Sequence, residues 1–313
     1  MLTILKSGIQ ACIQDLGREG FRHLGVSQSG VLDPLAAKSA NILLNNQQET
    51  PVIEITVGLC QFKFEKPTNF AITGADLGAK LSGQQLAVGW RYHANQGDTL
   101  TFATSKTGLR AYLAIQNGFS KLSPVMNSYS TDLQAEFGGT NGKPLNDGDV
   151  LEYETNTALS SIGAALPEYT DTIRVIVGPH IDIMSKDKQQ SLFEQNWGVL
   201  PQSNRMGVRL SSKTDFTHNI SIASQGVCPG TVQLPPNGDP IVLLNDSQTT
   251  GGYPIIGQVI EADLRQFSQL GAGQTCKFLA VDRTQALQAK TQQLQHIAQL
   301  EIAVQHHNKK KHD

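Results

Sequence analysis

Gly97-Asp98-Thr99-Leu100-Thr101-Phe102 is the stretch from which the fold can be read: a glycine, a polar residue, then alternation ending in an aromatic. The pattern returns as Gly148-Asp149-Val150-Leu151-Glu152-Tyr153 and as Gly273-Gln274-Thr275-Cys276-Lys277-Phe278. Small or polar turn residues precede each copy. Alternation marks a strand with one buried face, and the glycine before it marks the turn into that strand. Reuse of one device predicts β-rich units built alike. Residues 59–64, 109–115, 173–177 and 220–223 are further strand candidates. The continuous apolar run 241–244 predicts a strand buried on both faces.

Helix signals are fewer. Asp33-Pro34 ahead of a helical apolar period supplies an N-cap carboxylate and a proline at the first helical position. Residues 186–194 and 262–270 predict short helices. Residues 284–305 predict a longer one, with Leu287, Leu294, Ile297 and Leu300 as its docking stripe. The segment 155–172 is poor in charge and rich in small residues, as expected of a connector. The fold expected is mainly β, two antiparallel barrels or sandwiches with a few helices at their ends. The divisions expected are 1–155, 172–282 and a C-terminal helix with a basic, solvated tail over 284–313.

Composition narrows the function. The 313 residues are 39% hydrophobic and 17% charged, enough for a packed core. A formal net charge of −2 lacks the basic field of a nucleic-acid binder. Cys12, Cys60, Cys228 and Cys276 lie far apart and form no CxxC pair, so no metal site is signalled. There is no secretory h-region and no apolar stretch of bilayer length, which predicts a soluble, cytoplasmic protein. The glycine-rich segment 138–144 has the wrong spacing for a phosphate loop.

Polar residues concentrate at three places. Residues 240–254 run from the apolar strand into Asn245-Asp246-Ser247-Gln248-Thr249-Thr250-Gly251-Gly252-Tyr253, polar groups and paired glycines at the end of a scaffold strand. The alternative is an ordinary hairpin tip. Asn204-Arg205-Met206-Gly207-Val208-Arg209 is the second place. If this segment is a strand, Arg205 and Arg209 share a face and suit a carboxylate, bicarbonate or phosphoryl group. The alternative is two surface arginines in salt bridges. The third gathers Asp15, Arg18 and the glycine turns up to Asp33. Glu54, an acid inside an apolar strand, needs a partner there, for which Arg18 and Arg22 are candidates.

Together these segments carry a family likeness. Q-D-L-G-R-E-G, G-V-S-Q-S-G-V-L-D-P-L-A, E-I-T-V-G, I-T-G-A-D-L, S-N-R-M-G-V-R-L, S-Q-G-V-C-P-G-T-V-Q-L-P-P-N-G-D-P-I-V-L-L and D-S-Q-T-T-G-G-Y-P follow in order over about residues 1–282. The chain resembles the biotin-dependent carboxyltransferase-domain family, also called allophanate hydrolase subunit 2-like. That group includes the C subunit of bacterial ATP-dependent 5-oxoprolinase, which the chain most resembles, and the carboxyltransferase region of urea carboxylase. The resemblance implies two cyclophilin-like β-barrel domains. It also implies a subunit-1-like partner (the B subunit) and a lactam-utilisation-type partner (the A subunit).

The activity implied is opening of 5-oxo-L-proline to L-glutamate, with ATP and Mg used by the whole complex. A five-membered lactam is a poor electrophile, so phosphorylation of its carbonyl oxygen would supply a leaving group. That chemistry needs positive charge and oxyanion donors. Arg205, Arg209, Asp246 and Thr250 are the expected catalytic residues. Asn204, Gln248, Thr249, Gly251, Gly252 and Tyr253 are the expected substrate-binding set. The alternatives implied are carboxyl transfer from carboxybiotin to urea or another amide, and a regulatory partner of a subunit-1-like kinase inhibitor.

Overall fold

The three glycine turns close identically. In a computed structural model, which describes residues 1–309, Gly97, Gly148 and Gly273 have φ of 88°, 91° and 85°. These are left-handed values that glycine adopts without steric cost. The Gly97 N–H donates to the Phe64 carbonyl (2.7 Å), and the Phe64 N–H donates back to Asp98 (2.9 Å). Gly148 and Asp149 clasp Ile4 in the same way, and Gly273 and Gln274 clasp Val199. In each turn the side chain after the glycine also accepts from the backbone N–H three residues earlier: Asp98 from Asn95, Asp149 from Asn146, Gln274 from Gly271. The alternation is as read: Leu100, Phe102, Leu151, Tyr153, Cys276 and Phe278 are all buried.

The architecture is mainly β, with four α-helices among the described residues. The chain forms two compact units. The first comprises Met1–Arg18, Ser29–Pro167 and the chain from Leu294; the second comprises Glu19–Gln28 and Glu168–Gln293.

The first unit contains β1 (Leu2–Ser7), β2 (Gln10–Gln14), β3 (Val52–Thr56), β4 (Cys60–Phe64), β5 (Thr68–Asp76), β6 (Lys80–Leu81), β7 (Gln84–Gln85), β8 (Trp90–Ala94), β9 (Thr99–Thr101), β10 (Thr107–Ile115) and β11 (Val150–Leu151). They pair as a six-stranded sheet, β11-β1-β4-β9-β6-β7, and a five-stranded sheet, β2-β3-β10-β5-β8. One core joins the two sheets, with Ile4, Phe62 and Phe64 from the first and Phe70, Ile72 and Leu113 from the second. The other face of the five-stranded sheet is also covered. Helix α1 (Pro34–Leu43) packs there on Ala71, Tyr112 and Ala114. Burial on both faces accounts for the apolar stretches Phe70–Ile72 in β5 and Ala111–Ile115 in β10. Asp33 caps α1 as expected, its carboxylate accepting from the Ala36 N–H at 3.0 Å.

The second unit is a closed seven-stranded barrel. It is built from β12 (Thr172–Val177), β13 (Trp197–Val199), β14 (Gly207–Ser211), β16 (Thr231–Gln233), β17 (Ile241–Leu243), β19 (Ile255–Val259) and β20 (Thr275–Ala280). All its pairings are antiparallel except β12 with β20. Two short strands outside it, β15 (Gln225–Gly226) and β18 (Thr250–Gly251), pair with each other. Helices α2 (Lys186–Glu194) and α3 (Leu264–Phe267) also belong to this unit.

Three expectations are corrected. Residues 220–223 form no strand, because their side chains alternate between exposed and half-buried and offer no core face. The helix expected over 262–270 is a 3-10 turn followed by the four residues of α3. Helix α4 (Arg283–Lys309) docks by a different stripe from the one read in sequence. Leu287 and Leu294 are 55% and 56% exposed, while Ala289, Ile297 and Val304 are buried and Leu300 is partly so. At about 100° per residue, Leu287 and Leu294 fall on the flank of the buried line rather than on it. The helix runs on through His306 to Lys309, where a tail was expected; residues 310–313 of that tail lie outside the described residues.

Candidate functional site

The polar segment after β17 is shaped by an ion pair. Arg205 sits in a turn just before β14, closed by the Asn204–Gly207 bridge, and the Asn204 side chain accepts from the Met206 N–H at 2.8 Å. The Arg205 guanidinium meets the Asp246 carboxylate side-on, Nε to Oδ2 at 2.9 Å and Nη2 to Oδ1 at 3.0 Å. Both side chains are buried. The Asp246 N–H also donates to the Arg205 carbonyl, at 3.2 Å. A bidentate pair in low dielectric is both strong and geometrically fixed. It ties the start of the polar loop to the turn that leads into β14.

The shared face expected for Arg205 and Arg209 is not formed. The strand begins only at Gly207, so the even spacing does not apply. Arg209 is exposed on β14, where its backbone N–H donates to Ser203 Oγ.

The rest of the loop lies along residues 222–227. The Thr249 carbonyl accepts from the Val227 N–H at 3.0 Å, Thr250 pairs with Gly226, Gly251 pairs with Gln225, and the Gly252 carbonyl accepts from the Ile222 N–H. The Gln248, Thr250 and Tyr253 side chains are exposed.

Sequence reasoning left four residues out of the site: Arg22, Gln225 and Gln233 beside this loop, and Ser247 within it. Arg22 reaches it from the 19–28 segment, its Nη2 donating to the Val227 carbonyl (2.8 Å) and the Gln248 carbonyl (3.1 Å). Its Nη1 is buried without a hydrogen-bond partner. The amide nitrogens of Gln225 on β15 and Gln233 on β16 are likewise buried and unpartnered, as is the Ser247 hydroxyl. Gln233 is 1% exposed and Ser247 fully buried. A Cβ on Gly251 would lie 2.3 Å from the Gln233 amide nitrogen, so the glycine is what admits that amide. Each buried donor left unpaired costs about 1–3 kcal/mol. The signal in the sequence was Gln233, a polar residue buried in the strand T-V-Q-L, which is the reasoning applied to Glu54.

Burial pushes the Arg22 guanidinium below its ordinary value, as it does that of Arg91 in the first unit, with the Cys228 thiol as the opposing influence at Arg22. Cys228 is exposed and within 3.7 Å of Thr231 Oγ1 and Gln258 Oε1. The other three cysteines are buried, and burial pushes the Cys60 and Cys276 thiols up to about 12.

Two buried side chains of the first unit, Glu54 and Arg18, engage neighbours within that unit. Glu54 Oε1 lies 3.7 Å from Arg110 Nε, and its Oε2 accepts from the Leu32 N–H at 2.9 Å. Arg110 lies on β10, which pairs with β3, the strand that carries Glu54. Arg18 donates to the Ser130 carbonyl and stacks over Phe137.

The chain belongs to the carboxyltransferase domain, subdomain A and B, family, whose model matches residues 24–280. Among its relatives, the 5-oxoprolinase C subunit of Escherichia coli (strain K12) is 38% identical over 303 residues, covering 96% of this chain and 97% of that protein. The 5-oxoprolinase C subunit of Haemophilus influenzae is also 38% identical, covering 91% and 93%. The crystal structure of the Kluyveromyces lactis urea carboxylase superposes with a TM-score of 0.87 at 27% identity, over 96% of this chain and 29% of that one.

Proposed function

We propose that this chain is the C-type component of a 5-oxoprolinase, a hetero-oligomeric hydrolase that opens 5-oxo-L-proline to L-glutamate with hydrolysis of ATP. The observation that carries the reading is co-linear identity of 38% to two 5-oxoprolinase C subunits, over nearly the whole of both chains. The partners in this reading are a subunit-1-like B component and a lactam-utilisation-type A component. ATP, with Mg, is used by the assembly, which works in the cytoplasm. No helix among the described residues is long and apolar enough to cross a membrane.

The loop around residues 245–253 is the part of this chain we assign to substrate. Arg205 and Asp246 hold the loop through their mutual pair, while Thr249, Thr250, Gly251 and Gly252 set its backbone against residues 222–227. The decisive experiment is co-expression with the A and B components, then an assay for ATP-dependent glutamate formation from 5-oxoproline. Glutamate should form with all three subunits and not with this chain alone. An assembled complex without turnover sinks the reading.

A second reading is carboxyl transfer from carboxybiotin to urea or a related amide, favoured by the close superposition on urea carboxylase. Urea-dependent consumption of carboxybiotin by the purified chain with its partner would select it.

A further inference from the structure

We infer that Arg22, Gln225, Gln233 and Ser247 form a subsite for the carboxylate of a small acid, and, resting on the 5-oxoprolinase reading, for the carboxylate of the lactam substrate. Arg22 Nη1 and the amide nitrogens of Gln225 and Gln233 are buried without a protein partner. All three can only donate. Their complement is therefore a group rich in lone pairs, and an ionised carboxylate accepts through both oxygens without competing donors.

Three observations bring these atoms to one place. Gln225 is paired with Gly251 across β15 and β18. The Gln233 amide occupies the space a Gly251 side chain would need. Arg22 is bound to the Gln248 and Val227 carbonyls, which flank the same pairing, so its Nη2 is fixed while its Nη1 remains available. Ser247 supplies a buried hydroxyl from the same loop.

Charge points to an anion. The hydrogen bonds of the Arg22 guanidinium go to backbone carbonyls, which leave its charge without a carboxylate. In the same unit the Arg205 guanidinium already has its carboxylate in Asp246. The guanidinium expected from sequence to grip the anion is thus occupied, and Arg22 is the one placed to do so.

The test titrates the full chain, by calorimetry and through the Gln side-chain amide resonances, with three probes: 5-oxo-L-proline, 2-pyrrolidinone and inorganic phosphate. 2-Pyrrolidinone keeps the ring and lacks the carboxylate. We expect 5-oxo-L-proline to bind and 2-pyrrolidinone to bind at least about tenfold more weakly, the effect of one lost charge-assisted contact. Arg22→Met and Gln233→Leu should each raise the Kd for 5-oxo-L-proline by at least about tenfold, with the Tm of Gln233→Leu unchanged. If Gln233→Leu does not fold, the half-buried Arg22→Met decides alone. Equal binding of the two ring compounds, unaltered Kd in the variants, tighter binding of phosphate, or no carboxylate-dependent binding each overturns the subsite. Failure of the wild-type complex to make glutamate overturns the functional reading instead, and carboxylate-dependent binding to the chain still decides the subsite.

Discussion

Around Asp15 in the first unit, the carboxylate is committed several times over. It accepts from the Gly17 N–H at 2.8 Å, Ser128 Oγ at 2.7 Å, the Tyr129 N–H at 2.6 Å and Ser130 Oγ at 2.5 Å. Ser130 Oγ accepts in turn from the Asp15 N–H, and Ser128 Oγ from the Ser130 N–H. Around Gly251 in the second unit, three nitrogens and a hydroxyl are equally buried and have no such closure. The two regions look alike in composition, polar residues among glycines. What separates them is whether the protein completes its own hydrogen bonds. A closed network holds a turn in place, whereas buried donors left over call for an acceptor that the surrounding chain does not supply.

The Arg205–Asp246 pair belongs, on this comparison, with Asp15 although it borders the polar loop of the second unit. Arg205→Ala should therefore lower the unfolding free energy by about 3–5 kcal/mol, the cost of stranding one partner of a buried pair. Urea unfolding measures it. A loss under about 1 kcal/mol would make the pair no better than a surface bridge and break the comparison at its strongest point.

Asp15→Ala should cost about 2–4 kcal/mol, because the seryl hydroxyls and the Tyr129 N–H lose their acceptor. Next in size is a contrast within α4. Ile297→Ala should cost about 2–3 kcal/mol for a buried side chain. Leu294→Ala, on the exposed flank, should stay within about 0.5 kcal/mol. Comparable losses at both positions would restore the stripe read from sequence.

A third contrast concerns the thiols. At pH 8 Cys228 should react rapidly with a chromogenic disulfide reagent, while buried Cys12, Cys60 and Cys276 stay protected in the native protein. Cys60 and Cys276 have folded values of about 12 against an ordinary 9.0, so folding favours their protonated forms. The stability they contribute is whole below pH 9.0 and is lost as pH rises toward 12. Rapid reaction of more than one thiol per chain at pH 8 would contradict this burial.

What could be read in the sequence was local. The glycine turns, the Asp33 cap and the strand at 241–244 each depend on residues within a few positions of one another. The partners of the polar residues were not local. Arg205 and Asp246 are 41 residues apart, and Arg22 and Gln248 are 226 apart. Composition could point to the 245–253 loop, but not to which guanidinium is already satisfied. Even spacing misled at Arg205 and Arg209 because the strand starts between them. Periodicity alone misplaced the α4 stripe by a fraction of a turn, since four widely spaced apolar residues define a helix face only loosely.

Whether the leftover donors serve a ligand or the fold is decided by Gln233→Leu, measured twice: by equilibrium unfolding of the chain and by turnover in the assembled complex. Replacing an unpartnered buried amide with an apolar group of similar size removes nothing the fold uses. The unfolding free energy should stay within about 0.5 kcal/mol of the wild type, or rise, while turnover of 5-oxoproline falls at least about tenfold. A variant as destabilised as Asp15→Ala, or one of wild-type stability with undiminished turnover, would show that the buried amide serves the fold or nothing at all.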